Sequence, residues 1–329
     1  MTARARAIGV TSLLLVVLSG CANARTDERD STRSGSNGAA ASSWDPARWQ
    51  PPSIDELPRD SAGAAVRRGF ALITATHDSL PALVGANLNC TSCHLDQGRR
   101  ATASPLGGVY ARYPRYIERA AAVVPIEDRV NYCFTRSLAG SRLPNDSRAM
   151  QDIVAYLAFV SRGVPVGTSV GPARIPAMPP GRGDTVRGAD VYRGACARCH
   201  GADGAGIANV PALWGPKSFS VGASMARQER AASFIRHNMP FDKPGILTDG
   251  EAYDVAAFIT AKPRPDLPGK ERDWPSGNAP ADVPYDTKGH TAYLPPPLLP
   301  RRNPTDAYVP PPRVLPRPPA ENAPPPAGR

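Results

Sequence analysis

Two five-residue runs offer the plainest chemistry in this chain, Cys90-Thr91-Ser92-Cys93-His94 and Cys196-Ala197-Arg198-Cys199-His200. Paired thiols at this spacing can both add to the vinyl groups of a haem, and the histidine that follows at once reaches the iron as its proximal ligand. The same residue types could hold zinc or form a redox dithiol. Zinc would need further ligands at finger spacing, and a redox pair would sit at the head of a helix in an α/β pattern. Neither setting surrounds these runs, so each is expected to bind one covalent haem c with its iron, two in all.

The chain has six cysteines. Four enter the haem motifs and Cys21 closes an N-terminal leader, which leaves Cys133 with no disulfide partner. An unpaired thiol in an oxidising compartment is either buried or employed, and the count alone leaves both open.

The elements that must position these groups form a repeat. A short helix-compatible segment precedes each motif, Ala64 to Thr74 with Gly69 and Val186 to Arg193 with Gly188. A closing helix follows each. Met150, Ile153, Val154, Leu157 and Val160 recur at helical spacing after a cap at Asp146 or Ser147, and Gly163 and Pro165 end the run. Its counterpart is Glu251 to Thr260, where Thr248 and Glu251 stand at capping-box spacing. Asp152-Ile153-Val154 aligns with Asp254-Val255-Ala256.

In such a unit the second axial ligand comes from the loop before the closing helix. In the second copy that loop offers Met239, whose thioether would give His/Met iron of raised potential. Met225, Lys217 and His237 are the alternatives. The first copy has no methionine there before Met150, which falls on the apolar face of its helix. It has Cys133, which thereby becomes the leading distal ligand; His77 precedes its motif and is poorly placed. The expected fold is all-α, two tandem cytochrome c-like domains with a proline-rich C-terminal extension.

Composition sets the borders. Arg4 and Arg6 precede an apolar run from Ile8 to Leu18, then Ser19, Gly20 and Cys21, which reads as a lipoprotein signal peptide over residues 1–20. The run is too short to span a bilayer. Cys21 would be the lipidated N-terminus of a periplasmic protein held to a membrane by its lipid alone, and Ala22 resembles the signal for the outer membrane. Residues 21–53 read as a flexible tether, 54–165 as the first domain, 166–182 as a linker, 183–262 as the second domain and 263–329 as a proline-rich tail with no core of its own. The net charge of +10 would suit nucleic acid or a membrane surface. An exported protein does not meet nucleic acid. Between Arg99 and Arg142 eight arginines face only Glu118, Glu127 and Asp128, a pattern suited to a small oxyanion or simply to a solvated surface beside haem propionates.

From about Ile54 to Tyr285 the chain resembles the dihaem thiosulfate dehydrogenases, which join two thiosulfates into tetrathionate. The resemblance rests on His94-Leu95-Asp96, Tyr113-Pro114-Arg115, Arg129, Cys133 and Ser137, then Pro165-Val166-Gly167 and Asn238-Met239-Pro240, and finally Trp274-Pro275 and Asp282 to Tyr285. It implies that Cys133 ligates the first iron and takes part in catalysis, with Arg119, Arg129 and Ser137 lining the substrate pocket. It also implies that His200 and Met239 ligate a second iron, which passes electrons to a small redox protein such as a c-type cytochrome. Asn238 departs from relatives that carry a lysine there, so exchange of ligands at the second iron is not expected. The competing readings are an electron carrier without catalysis, the same enzyme reducing tetrathionate, and an enzyme acting on a carrier-bound thiol.

Overall fold

The computed structural model describes residues 45, 48–168, 175–207, 209–293 and 295. The signal peptide, Cys21, the tether as far as residue 44 and the tail from residue 296 lie outside them. Among the described residues no helix is long and apolar enough to cross a membrane.

The first haem motif is framed by α1 (Ser61–Thr74), the single turn α2 (Thr76–Ser79), α3 (Ile126–Tyr132) and α4 (Arg148–Phe159). Asp60 caps α1 by accepting Gly63 N, and Ser147 caps α4 by accepting Met150 N. The apolar stripe of α4 buries Met150, Ile153, Tyr156 and Leu157 against Val66 and Ile73 of α1 and against Phe134. Met150 is thus a core residue, as its place on the helix face required. A small antiparallel pair, β1 (Arg115–Ile117) and β2 (Ala122–Val124), precedes α3, a local exception to the all-helical reading.

The second motif follows α5 (Thr185–Ala195), with Cys196 at the junction and the rest on α6 (Ala197–His200); α7 (Gln228–Asn238) and α8 (Asp249–Thr260) come after it. Thr248 and Glu251 form the expected capping box at the head of α8.

The repeat has a physical basis in how each opening helix meets its closing helix. Arg68 grips both carboxylate oxygens of Asp152 at 2.7 Å, and Arg187 grips those of Asp254 at 2.6 and 2.7 Å. Beside each arginine a glycine lets the backbones touch. A Cβ at Gly69 would stand 1.9 Å from Asp152 O, and one at Gly188 would stand 2.0 Å from Asp254 O. Only glycine fits either crossing.

The halves share their packing. Phe219, Ala223 and Ala226, which follow the second motif, are buried in the core of the first domain. Leu95 and Ala103 of the first domain pack with Phe234 and Met239 of the second. Proline content gave no core beyond residue 263, but Trp274, Val283 and Tyr285 are buried there against Val221. Tyr285 donates to Asp273 at 2.7 Å, and Asp282 pairs with Arg227. The segment packs as a strap of successive turns, one of them the 3-10 turn Lys270–Arg272, and needs no helical periodicity to bury its aromatic residues.

Candidate functional site

At the first motif the backbone is pinned before the chemistry begins. Buried Thr76 accepts Cys90 N at 3.1 Å, and Asn89 Oδ1 accepts His77 N at 2.8 Å. The His77 ring itself turns to Asp78 at the surface. His94 Nδ1 lies 2.5 Å from the carbonyl of Ser104. A carbonyl can only accept, so Nδ1 carries a proton and Nε2 is the nitrogen that a metal would take.

His94 faces Cys133. The thiol stands where α3 gives way to a π-helical turn, Cys133–Ser137, a deviation that recurs at functional sites. Arg129 lies one helical turn earlier and its Nη1 donates to Cys133 Sγ at 3.2 Å. Burial pushes the Cys133 thiol up, but the Arg129 guanidinium and His94 more than offset that, and the balance lowers it to about 6. The Cys133 thiolate in turn raises Arg129 above its ordinary value, with Tyr113 assisting and burial opposing. The two shifts describe one event: a half-buried thiolate held against a neighbouring cation.

Of the other residues assigned to this pocket, Ser137 closes the same turn. Arg119 makes its contacts elsewhere: Nη1 donates to Gly222 O at 2.8 Å and the guanidinium lies 4.4 Å from the Trp274 ring centre. Burial lowers it to about 10, so it remains a cation at neutral pH. Sequence reasoning gave no role to Arg136, yet its backbone carbonyl accepts Ser220 N and its side chain pairs with Asp273. The signal was faint, because Asp273 sits in a stretch that its prolines made look structureless.

The second motif repeats the first. His200 Nδ1 lies 2.9 Å from Pro211 O, which keeps a proton on Nδ1; burial outweighs that bond and lowers the ring's proton affinity, favouring a neutral ring with Nε2 free. Met239 caps α7 and is half-buried among the cores of both halves. The alternatives are otherwise engaged: His237 bonds Ser233 O on its own helix, exposed Lys217 reaches towards Gly85 O, and Met225 packs against the first core. Neither backbone carbonyl that orients a histidine was visible in the sequence, since any residue type supplies one. Paired thiols beside a histidine with a free Nε2 are the donor set that covalent haem requires, and the residues fit that group at both places.

Comparison with known proteins agrees with this reading. Residues 84–166 match the family model described as "SoxA/TsdA, cytochrome c domain", and residues 175–259 match "Cytochrome C oxidase, cbb3-type, subunit III". A thiosulfate dehydrogenase of Psychrobacter arcticus is 41% identical over 248 residues, covering 70% of this chain and 73% of the relative. The chain belongs to the thiosulfate dehydrogenase family. A second member, from Allochromatium vinosum, is 40% identical over 225 residues, 65% of this chain and 83% of that one. The solved "as isolated" structure of thiosulfate dehydrogenase (TsdBA) from Marichromatium purpuratum is 35% identical with a TM-score of 0.64, over 68% of this chain. The match spans 51% of that structure's chain, about half its length. Membership makes the protein an oxidoreductase built on cytochrome c domains that bind haem c covalently. The first family model begins after α1, although α1 supplies the helix on which α4 packs.

Proposed function

We propose that this protein is a periplasmic, lipid-anchored dihaem enzyme that couples two thiosulfates into tetrathionate and passes the electrons to a small redox protein such as a c-type cytochrome. The observation that carries the reading is the contact of Arg129 with Cys133 opposite His94. A plain carrier has no need of a half-buried thiolate held against a guanidinium. A thiosulfate-coupling enzyme needs a sulfur nucleophile beside a group that binds sulfur oxyanions in two-toothed fashion.

His94 and Cys133 would hold the first iron, and His200 and Met239 the second. When bound, the two haem c groups supply an electron sink, each taking one of the two electrons that the coupling releases. The Cys133 thiolate, which Arg129 holds as an anion, bonds the sulfane sulfur of one thiosulfate. This forms Cys–S–S–SO3− and releases two electrons to that sink. The sulfane sulfur of a second thiosulfate then attacks the same sulfur atom; the bond to Cys133 breaks, its electron pair returns to the thiolate, and tetrathionate departs. Arg129 offsets negative charge at each stage, first on the thiolate and then on the sulfonate of the adduct. In this reading Ser137 lines the pocket from the same turn, and Arg119 contributes only its charge, from its place on Gly222 O and the Trp274 ring.

A steady-state assay with thiosulfate and an artificial electron acceptor tests it. The fully haem-loaded protein should form tetrathionate, and Cys133→Ala and Arg129→Ala should abolish or cripple that turnover. A wild-type protein inactive in both directions would instead be an electron carrier.

A further inference from the structure

Two loops from different halves of the molecule meet at one buried amide. Asn238 is the last residue of α7 and is fully buried. Its Oδ1 accepts the Thr102 hydroxyl at 2.8 Å, while its Nδ2 donates to Thr102 O at 2.9 Å and to Phe234 O at 3.0 Å. Both amide protons are therefore used, one across the boundary and one on its own helix. Thr102 stands two residues before Ser104, the residue whose carbonyl orients His94. On the other side, Met239 follows Asn238 directly. Leu95, Ala103, Phe234 and Met239 pack together beside this junction, where Asn238 is fully buried and Thr102 half-buried.

We propose that Asn238 is a positioning residue: it fixes Met239 at the second haem site by anchoring the end of α7 to the Thr102–Ser104 loop of the first. The inference rests on the reading of Met239 as an axial ligand. A methionine side chain has three rotatable bonds and finds a single place only if its backbone is held. The helix ends at Asn238, so beyond it Met239 keeps one helical bond, Met239 N to Ile235 O at 2.9 Å. The side chain of Asn238 supplies the second hold, and that hold is set in the first domain. Asn238 is itself fully buried, so losing the Thr102 hydroxyl leaves its amide oxygen without a partner. The two haem sites thus share a joint, so that a hydroxyl beside the first controls ligation at the second.

The experiment compares haem-loaded wild type with Thr102→Val, Thr102→Ser and Met239→Ala. The readouts are the methionine–ferric iron charge-transfer band and the midpoint potential of the second haem. Wild type and Thr102→Ser should show the band, and Met239→Ala sets its zero. Thr102→Val should lose most of the band and shift the second haem to lower potential, while the thiolate-ligand signature of the first haem stays in place. If Thr102→Val does not accumulate, Asn238→Ser, too short to reach both partners, should show the same loss. A removed hydroxyl that leaves both band and potential at wild-type values overturns the inference alone. A wild type without the band overturns the assignment of Met239, and the inference falls with it.

Discussion

Arg136, three residues after Cys133, grips both oxygens of Asp273 at 2.6 and 2.7 Å. The pair is largely buried, with side-chain exposures of 15% and 7%. Tyr285 donates to the same carboxylate. The turn that presents the thiol is therefore held from outside by the strap that ends the described chain.

Removing one side of such a pair leaves the other as a stranded charge. Asp273→Ala should lower the stability of the folded protein by about 3–5 kcal/mol, and Tyr285→Phe, which removes one bond to an ion, by about 1.5–3 kcal/mol. Chemical denaturation followed by circular dichroism measures both. Equal stabilities for wild type and Asp273→Ala would mean that the strap is only laid upon the turn.

The helix crossings make a paired prediction. Gly69→Ala and Gly188→Ala each drive a methyl into a backbone carbonyl, and overpacking of this kind costs about 1–3 kcal/mol or more. Each should reduce haem incorporation at its own motif first, which the haem-to-protein absorbance ratio and peptide mass mapping would resolve. Unchanged loading and stability would show that the helices can part without cost.

For Arg129 the useful change is the conservative one. Arg129→Lys keeps the positive charge but loses the planar fork that can meet a thiolate and an oxyanion together. It should lower kcat/KM for thiosulfate by about 100-fold, as loss of an electrostatic donor does in other active sites. Wild-type kinetics in that variant would reduce the role of Arg129 to charge alone.

The anchor is tested without kinetics. Cys21→Ser should move the protein from the membrane fraction to the soluble periplasmic fraction with its haem spectrum unchanged, because a lipid chain is the only hold proposed. Membrane association that persists in the variant would require another attachment.

Much of this arrangement is legible in the chain because duplication lets one half annotate the other. Gly69 and Gly188 stand out once the halves are aligned, and the structure gives the reason in Asp152 and Asp254, whose backbones they touch. The same alignment set Cys133 in the place that Met239 takes in its own half, and it sent Met150 to the core, where it lies. What could not be read are features that periodicity does not encode. The carbonyls of Ser104 and Pro211 have no side-chain signature. Asn238 gives no hint of its partner, since Thr102 lies in the other half. Asp273 was hidden by surrounding prolines, and Trp274, which the resemblance marked, showed no sign of a core, because a chain of turns buries residues one at a time rather than along a stripe.

That strap also bears on the order in which the molecule can come together. Arg136 waits for a carboxylate 137 residues further along, and Thr102 for an amide 136 residues away. Contacts of such long separation in sequence close late, after the loops between them have paid their entropy. The turn bearing Cys133 thus leaves the ribosome well before the strap that completes it and is among the last parts of the protein to be finished.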